Sequence, residues 1–487
     1  MVFVPEAYQE GSSPVIQEST GEGWTPLYWK ECSFPPEIFS KVMLNQIRNP
    51  NINSSYLFRA DILFTAPYTK DFQTDNDVLP RIIHFRGLDL KTVLIRTLVP
   101  RKAQLDKPLD QTCLIYSSVL SEGVIQSLVV YLPHLSSADS FPYYHPAVRG
   151  IAFFHTFSPV TQSGICSIHF SFFQSIPREP KLERIAHNLL ATLHKHGEGS
   201  VAGYVKRVHH DVILPQATVQ NTYSRLKAKY AKGVIDSWVE TTDPTKHVFE
   251  DLGIAAFLIE LWAEMYREAE FPGFVDIGCG NGLLVYILTE EGYKGYGFDA
   301  RKRKSWEQLY SPRTQERLKE LVLIPSILID DQESGAGKEE EERSKQGIHD
   351  GTFPRGTFII SNHADELTPW TPLLANISES PFMMIPCCSH ALSGARCRAP
   401  PSKEKGASNS AYASLIHWVS DLATQCGWEV ETEMLRIPST RNTGLIGRRR
   451  VKPFQDVEVR EILRNNGGAE GWEANAMKLT KGAVRGH

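Results

Sequence analysis

The chain lacks the features that mark membrane-spanning, secreted or globally basic proteins. Its longest apolar run, Ile254–Trp262, contains Glu260 and is too short to span a bilayer. The first residues show no basic stretch followed by an apolar core, so the sequence predicts no secretory signal. The formal net charge of −4 excludes a nucleic-acid binder that is basic all over, because any polyanion would have to meet local basic patches.

Cysteines are few and carry no paired spacing. There are eight of them in 487 residues, and the adjacent pair Cys387 and Cys388 is a poor arrangement for an unstrained disulfide. We therefore expect a reducing compartment and a cytoplasmic protein. The content of 41% hydrophobic and 22% charged residues is ordinary for a globular protein, and the length suffices for two or three domains.

The first part of the chain, residues 1–200, predicts an α+β domain. Short β-rich runs separated by Pro, Asp, Ser and Gly precede a predicted helix at 181–195. No nucleotide-binding fingerprint occurs there, so we interpret this domain as one that binds substrate or a partner. Residues 201–243 are predicted to be a helical connector. Its lysines are more typical of a solvated helix face than of direct RNA contact.

Residues 244–452 predict a doubly wound α/β domain. Asp243 and Pro244 are a good N-cap and first residue for a helix, and apolar residues recur after them at spacings of three and four. Strands and helices then alternate, as in a parallel sheet. The charged, low-complexity stretch 330–351 is predicted to be a disordered surface insertion, and residues 453–487 a polar tail.

Residues 274–282, Phe-Val-Asp-Ile-Gly-Cys-Gly-Asn-Gly, run from a strand into three alternate glycines. Glycine lets the backbone turn tightly and approach a ligand, and the following helix offers free N–H groups. A dinucleotide site needs G-x-G-x-x-G, but Leu283 stands where that pattern has its last glycine. A purely structural glycine turn is the other alternative.

The acids beside this motif favour S-adenosylmethionine. Asp276 suits an amino group and would repel a pyrophosphate, while Asp299 ends the next predicted strand, where it can take both hydroxyls of a ribose. An amino acid joined to adenosine fits both. The candidate cofactor-binding residues are Asp276, Gly278, Gly280, Asn281, Gly282, Asp299, Ala300 and Asn362.

Two later strand ends are also polar. The segment Ser361–Trp370 includes Asn362, His363 and Asp365, and these side chains are expected at the carboxyl edge of the sheet, although a capped structural loop is an alternative. Pro386–His390 contains the two adjacent cysteines, whose spacing does not match structural zinc sites, so we predict no metal. His390 is expected to line the same cleft.

Two basic runs could be solvated surface or phosphate contacts. They are Arg301–Lys304 and the group Arg448, Arg449, Arg450 and Lys452, which follows the last predicted strand. A polyanion is slightly favoured for the second run because the protein is otherwise acidic. Together with Lys246, these four residues are the candidate contacts to such a substrate.

Several of these segments together resemble a known family, the eukaryotic tRNA (uracil-2′-O-)-methyltransferases, which modify uridine 44 of serine tRNA. The segments are Phe274–Tyr286, Gly295–Trp306, Ser361–Trp370 and Pro386–His390, with Thr242–Asp251 and Ile437–Asn442 also similar. The resemblance is close over about 220–452. It implies a class I, Rossmann-like methyltransferase domain, S-adenosylmethionine as cofactor, serine tRNA as partner and cytoplasmic location.

The implied reaction requires a base to take the proton of a ribose 2′-hydroxyl. Asp365 is the first candidate, and His363 or His390 the second. A lysine-rich tetrad, as in many 2′-O-methyltransferases, is not fully present, although Lys246 could contribute. The alternatives are a non-catalytic scaffold that binds the cofactor for a partner enzyme, and a methyltransferase acting on protein or a small molecule.

Overall fold

The computed structural model describes residues 3–69, 72, 77–102, 105–120, 123–173, 179–204, 210–328, 347–401 and 410–480. The chain divides into two compact units, residues 1–206 and 207–487. Most of the predicted disordered insertion, residues 330–346, lies outside the described residues, but its last part differs from the prediction, because Ile348–His349 forms a strand that pairs with Val322–Leu323. Among the described residues, no helix is both long and apolar enough to cross a bilayer.

The first unit is built on an antiparallel sheet with strand order β1-β2-β8-β7-β6-β5-β4-β3. Its strands are β1 (Glu6–Ala7), β2 (Thr25–Cys32), β3 (Leu57–Pro67), β4 (Asp89–Pro100), β5 (Leu109–Val119), β6 (Ile125–Pro133), β7 (Gly150–Ser158) and β8 (Ser163–Ser171). Helices α1 (Pro36–Arg48) and α2 (Pro180–Val201) cover one face. Neighbouring residues such as Val129 and Val130 enter different core clusters, since strand side chains alternate between faces.

The second unit contains a seven-stranded sheet with strand order β11-β10-β9-β14-β15-β17-β16. Its strands are β9 (Phe274–Ile277), β10 (Gly295–Asp299), β11 (Leu318–Glu320), β14 (Phe358–Asn362), β15 (Phe382–Ile385), β16 (Trp428–Met434) and β17 (Thr443–Arg450), and a separate parallel pair consists of β12 (Val322–Leu323) and β13 (Ile348–His349). Strands β9, β10, β11, β14 and β15 run parallel. Strands β16 and β17 are antiparallel to each other, and β17 is antiparallel to β15.

Helices cover both faces of this sheet. They are α3 (Gln216–Leu226), α4 (Lys232–Asp236), α5 (Pro244–Met265), α6 (Leu283–Glu290), α7 (Lys304–Gln308), α8 (Pro312–Gln315), α9 (Thr371–Ile377), α10 (Ala411–Gln425), α11 (Val459–Asn465) and α12 (Trp472–Leu479), with a π-helical turn at Lys227–Ala231 joining α3 to α4. The start of α5 agrees with its sequence, because Asp243 accepts a hydrogen bond from Thr245 N at 2.9 Å. Its apolar residues then pack on the sheet in one core cluster.

The structure differs from the sequence-based elements in three places. The apolar run 321–329 predicts one strand, but its described residues, 321–328, contain only the short strand β12 and a 3-10 turn at Ser326–Leu328. The last strand continues through Arg450. The tail predicted to be polar contains α11 and α12. Trp472 of α12 is buried: its indole N–H donates to the carbonyl of Leu323 at 2.9 Å, and its ring centroid lies 5.2 Å from that of Trp370. Trp472, together with the buried Val459, Leu463 and Ala476, thus packs a segment that was predicted to be a polar tail against the core.

Candidate active site

The polar groups of the second unit meet where β9, β10 and β14 end. These strands are parallel neighbours, so their carboxyl ends lie at one edge of the sheet. Asp276 of β9 pairs in register with Gly297 on one side and Ile360 on the other. The glycine loop after β9, the end of β10 and the loop after β14 therefore surround one cleft.

The three glycines have distinct roles. All lie in the left-handed region, with φ of +72°, +53° and +77° at Gly278, Gly280 and Gly282. A Cβ at Gly278 would lie 3.1 Å from Cβ of Ala364, and one at Gly282 would lie 2.8 Å from Leu318, so these two are needed for packing. A Cβ at Gly280 would meet nothing within 4 Å. The loop is thus open at its middle glycine.

Asp299 connects this loop to the end of β10. Its Oδ2 accepts a hydrogen bond from Gly280 N at 3.1 Å, and its Oδ1 accepts one from Arg301 N at 3.1 Å. The Arg303 guanidinium lies 3.8 Å from Oδ1. Each carboxylate oxygen can accept two hydrogen bonds, so capacity remains for ligand hydroxyls. The next residue, Ala300, packs partly against the core.

Asn281 is used differently from its neighbours. Its side-chain oxygen accepts a hydrogen bond from Leu283 N at 2.9 Å, which supports the start of α6. Its backbone carbonyl accepts from the hydroxyls of Ser305 and Tyr310 at 2.7 and 3.0 Å. The contacts of Asn281 thus fix the shape of the loop.

Two side chains in the cleft each keep a buried acceptor oxygen without a donor. Asp276 is 1% exposed, and among the described residues neither its Oδ1 nor Oδ1 of Asn362 has a hydrogen-bond partner. Burial raises the pKa of Asp276 well above its usual value, and the charges of Asp251 and Asp299 add to the effect. Buried acceptors without donors are uncommon in folded proteins. A bound molecule that brings donors, such as an ammonium group, would satisfy both.

Asp251 of α5 lies behind these two residues. It accepts a hydrogen bond from Asn362 Nδ2 at 3.2 Å. Burial raises its pKa to about 8, the charge of Glu250 acts in the same direction, and the Asn362 hydrogen bond opposes them. Asp251 therefore orients the Asn362 side chain: its Nδ2 is bound to Asp251, and its Oδ1 is left without a donor.

His363 and Glu250 form a pair at the mouth of the cleft. His363 Nε2 lies 2.9 Å from Glu250 Oε1, and the histidine side chain is 25% exposed. Burial opposes ionisation of Glu250, but the hydrogen bond and charge of His363, together with Lys246 and His247, lower its pKa. An ionised Glu250 accepts a hydrogen bond from Nε2–H of the neutral imidazole, which leaves Nδ1 as the basic nitrogen. A histidine oriented by a carboxylate is a common arrangement for a general base.

Asp365 lies on the same loop and contacts the two cysteines. His363 and Asp365 have φ of +51° and +44°, which costs energy for residues other than glycine and occurs often at functional sites. The Cys387 thiol donates to Asp365 Oδ1 at 3.0 Å. The Asp365 carboxylate and the Cys387 and Cys388 thiols offer ligand atoms within 4.8 Å of one another.

These thiols hold their protons strongly. Burial raises the pKa of Cys387 and of Cys388, and Asp365 adds to the rise in both. A metal ion would have to displace both protons. The predicted absence of a metal stays a prediction. His390, on the same loop, is 5% exposed and forms a backbone bridge with Arg396.

Two family models and several known proteins match this chain. A family model described as "TRM44-like, N-terminal bet v1-like domain" matches residues 6–207, and one described as "Predicted AdoMet-dependent methyltransferase" matches residues 213–325. A tRNA (uracil-O(2)-)-methyltransferase of Neurospora crassa is 53% identical, with 98% of each chain covered. Proteins of the same name from Schizosaccharomyces pombe and Saccharomyces cerevisiae are 41% and 37% identical, covering 95% and 96% of this chain and 94% of each relative.

The chain belongs to the tRNA (uracil-O(2)-)-methyltransferase family. The family's cofactor is S-adenosylmethionine. The residues present fit this molecule, because unsatisfied carboxylate and amide oxygens suit its amino group and an open glycine lies beside them. Asp299, at the end of β10, still has capacity to accept hydroxyls.

Sequence analysis missed Glu250 and Asp251 as residues of the cleft. The sequence placed them early in α5, where acids commonly accompany a helix start. Asp251 follows Val248 by three residues and precedes Ala255 by four, so it lies on the apolar face of the helix. A carboxylate at such a position is unusual, and this spacing was the available signal.

The basic run near residue 450 is located differently from the prediction. Arg448, Arg449 and Arg450 lie within β17 and not beyond the last strand. Arg448 is bound to Glu431 and Glu264, and the Arg450 guanidinium lies 4.3 and 4.0 Å from the ring centroids of Trp428 and Phe454.

Exposure separates the members of this run. The Arg448 side chain is 9% exposed, whereas that of Arg449 is 57% exposed, and Lys452 is also exposed. Arg448 and Arg450 therefore stabilise the fold, and Arg449 and Lys452 are the members available to a polyanion. Lys246 is exposed on the first turn of α5, four residues before Glu250.

Proposed function

We propose that this protein transfers a methyl group from S-adenosylmethionine to the ribose 2′-oxygen of a uridine in tRNA, using a class I, Rossmann-like domain. The observation that carries the proposal is the pairing of two features at one sheet edge. Buried acceptors without donors lie beside an open glycine, and an oriented histidine lies at the mouth of the same cleft. The names of the relatives support tRNA uridine as the substrate.

Each part of the cleft has a role in this proposal. Asp276 and Asn362 accept hydrogen bonds from the amino group of the cofactor. Gly280 has no side chain and so lets the cofactor approach the backbone of the loop. Asp299 accepts hydrogen bonds from the ribose hydroxyls. When bound, the cofactor supplies a methyl group on a positively charged sulfur, which is already activated for displacement. Much of the remaining barrier is removed by holding the hydroxyl in line with that methyl.

His363 is the base that this geometry favours. Its Nδ1 accepts the 2′-hydroxyl proton as the oxygen becomes a nucleophile, and the Glu250 carboxylate stabilises the resulting imidazolium. Asp365 is the second candidate, although its Oδ1 accepts from the Cys387 thiol. His390 is buried, which makes it a lesser candidate.

The finer specificity follows the sequence resemblance. We propose uridine 44 of serine tRNA as the target, the cytoplasm as the location, and residues 1–200 as a domain that contacts tRNA. Primer extension or mass spectrometry of purified serine tRNA, from cells with and without the gene, tests the target. Loss of 2′-O-methyluridine at a different position would contradict it.

Incubation of the purified protein with labelled S-adenosylmethionine and bulk tRNA tests the reaction itself. Label should enter tRNA and disappear after ribonuclease treatment. Tight cofactor binding without transfer would favour the scaffold alternative, and a ribonuclease-resistant product would favour a protein or small-molecule substrate.

A further inference from the structure

Two exposed tyrosines lie side by side on the first unit. Tyr56 is 52% exposed and Tyr143 is 65% exposed, and their ring centroids are 5.4 Å apart with planes nearly perpendicular. The following residues, Leu57 and Tyr144, are buried together in one small core cluster. At both places the chain thus directs one residue into the core and the preceding tyrosine toward solvent.

Basic side chains adjoin this pair. Lys181 Nζ lies 4.6 Å from the ring centroid of Tyr143. Arg101 N donates to the Tyr56 carbonyl at 2.8 Å, and the Arg101 guanidinium lies 5.9 Å from the ring centroid of Phe58. We call these five residues the tyrosine surface.

The charge of the tyrosine surface is partly balanced. Glu179 and Glu183 lie two residues to either side of Lys181 in the sequence. Electrostatic attraction alone would therefore be weak here. The exposed aromatic rings should therefore contribute more to binding than the charges do. They suit a ligand that has flat, apolar faces together with negative charge.

An unpaired RNA segment has both properties. Its bases are free to stack on aromatic side chains, and its phosphates can lie near Lys and Arg. Duplex RNA does not suit the surface, because its bases already stack on one another. We propose that the tyrosine surface binds an unpaired segment of the substrate tRNA by base stacking on Tyr56 and Tyr143, an inference that rests on the proposed function.

Binding of bulk tRNA to the full-length protein tests the inference. Replacing both tyrosines together (Tyr56→Ala with Tyr143→Ala) should weaken binding about tenfold or more, as measured for the loss of a stacked base. The double phenylalanine variant keeps the stacking faces and should bind within about twofold of wild type. Tyr204→Ala is the matched control, because Tyr204 is 71% exposed on the same unit and lies outside the tyrosine surface.

Competition and salt dependence identify the kind of contact. Single-stranded poly-uridine should displace tRNA from wild type better than duplex RNA does. Removing Lys181 and Arg101 should reduce the salt slope by about 0.7 per lost phosphate contact. Unchanged tRNA binding by the double alanine variant, or equal competition by duplex RNA, would overturn the inference.

Methyl transfer separates this inference from the proposed function. If wild type binds tRNA but does not methylate it, and the double alanine variant loses that binding, the proposed reaction is wrong and the inference about the tyrosine surface holds. If wild type methylates tRNA and the double alanine variant binds it normally, the surface fails and the reaction stands. Circular dichroism and thermal unfolding of every variant should match wild type, which shows that the first unit is folded, and calorimetry with S-adenosylmethionine should give wild-type affinity.

Discussion

The cleft at the end of β9 and the arginine run in β17 are both conspicuous in the sequence, and the fold uses them in opposite ways. In the cleft, Asp276 and Asn362 each have a buried acceptor oxygen that the described residues do not satisfy. In the run, Arg448 and Arg450 are engaged by carboxylates, carbonyls and aromatic rings. Polar groups that a fold leaves unsatisfied indicate a ligand, whereas those that it satisfies indicate structure.

Removing the proposed base should have the largest effect. His363→Ala should lower kcat by about 10²-fold or more while cofactor affinity stays near wild type, because the histidine acts on the hydroxyl proton. Glu250→Gln should lower kcat less, since it only weakens the orientation of His363. Rate measurements at saturating tRNA, with calorimetry for the cofactor, check both. A larger loss for Asp365→Asn than for His363→Ala would transfer the role to Asp365.

Removing Asp299 tests the cleft as a cofactor site. Asp299→Ala should weaken S-adenosylmethionine by about 1.5–3 kcal/mol, as expected when hydrogen bonds to a charged acceptor are lost. Glu320→Ala is the matched control, because Glu320 pairs in register with Asp299 but is exposed at the end of β11. Equal affinity of the two variants in calorimetry would remove Asp299 from the site.

Removing an arginine whose side chain is satisfied within the fold should affect stability instead. Arg448→Ala should destabilise the protein by about 1–3 kcal/mol, because it leaves the largely buried Glu431 with only the guanidinium of Arg449, 3.9 Å away. The loss is smaller than for a fully buried pair, since the second partner, Glu264, is 38% exposed. Arg449→Ala should change stability by less than about 0.5 kcal/mol. Urea unfolding of the two variants measures the difference. Equal stability losses would mean that the arginine run is not divided as its contacts indicate.

The protonation of Asp251 gives a pH signature. Its pKa is about 8 in the fold against 3.8 as its ordinary value, so between these pH values the folded state holds a proton that the unfolded state has lost. The free energy of unfolding should therefore decrease as pH rises from 4 to 8. Asp251→Asn should flatten this dependence, and Asp276 would account for what remains. A slope as steep in Asp251→Asn as in wild type would contradict the assignment.

The smallest effect concerns the exposed members of the arginine run. Arg449→Ala with Lys452→Ala should reduce the salt slope of tRNA binding by about 0.7–0.9 per lost phosphate contact, without changing cofactor affinity. Filter binding across a salt series measures it. If the slope equals that of wild type, the whole run is structural and the tRNA contacts lie elsewhere.

The turn and the strand end that form the proposed cofactor site were predictable because they depend on local chemistry. A tight turn after a strand requires glycine at positions with positive φ, and Gly278, Gly280 and Gly282 have that conformation. Asp299 ends its strand as the sequence predicted. Parallel strands bring such ends to one edge of the sheet, so the sequence predicted that edge, whereas the pairing of β14 with β9 was seen only in the structure.

The tertiary structure decided which polar residues are satisfied. Glu250 contacts His363, and Asp251 contacts Asn362, only because α5 packs across the sheet. The partners in each pair are more than a hundred residues apart in the sequence. Likewise, Trp472 joins the core only through long-range contacts with Leu323 and Trp370. The sequence by itself determined the turn chemistry, the strand ends that carry polar residues and the cofactor, because these depend on residue type and short spacing. The burial of each polar side chain and its hydrogen-bond partner were decided by tertiary packing, because they depend on contacts between residues that are distant in the sequence.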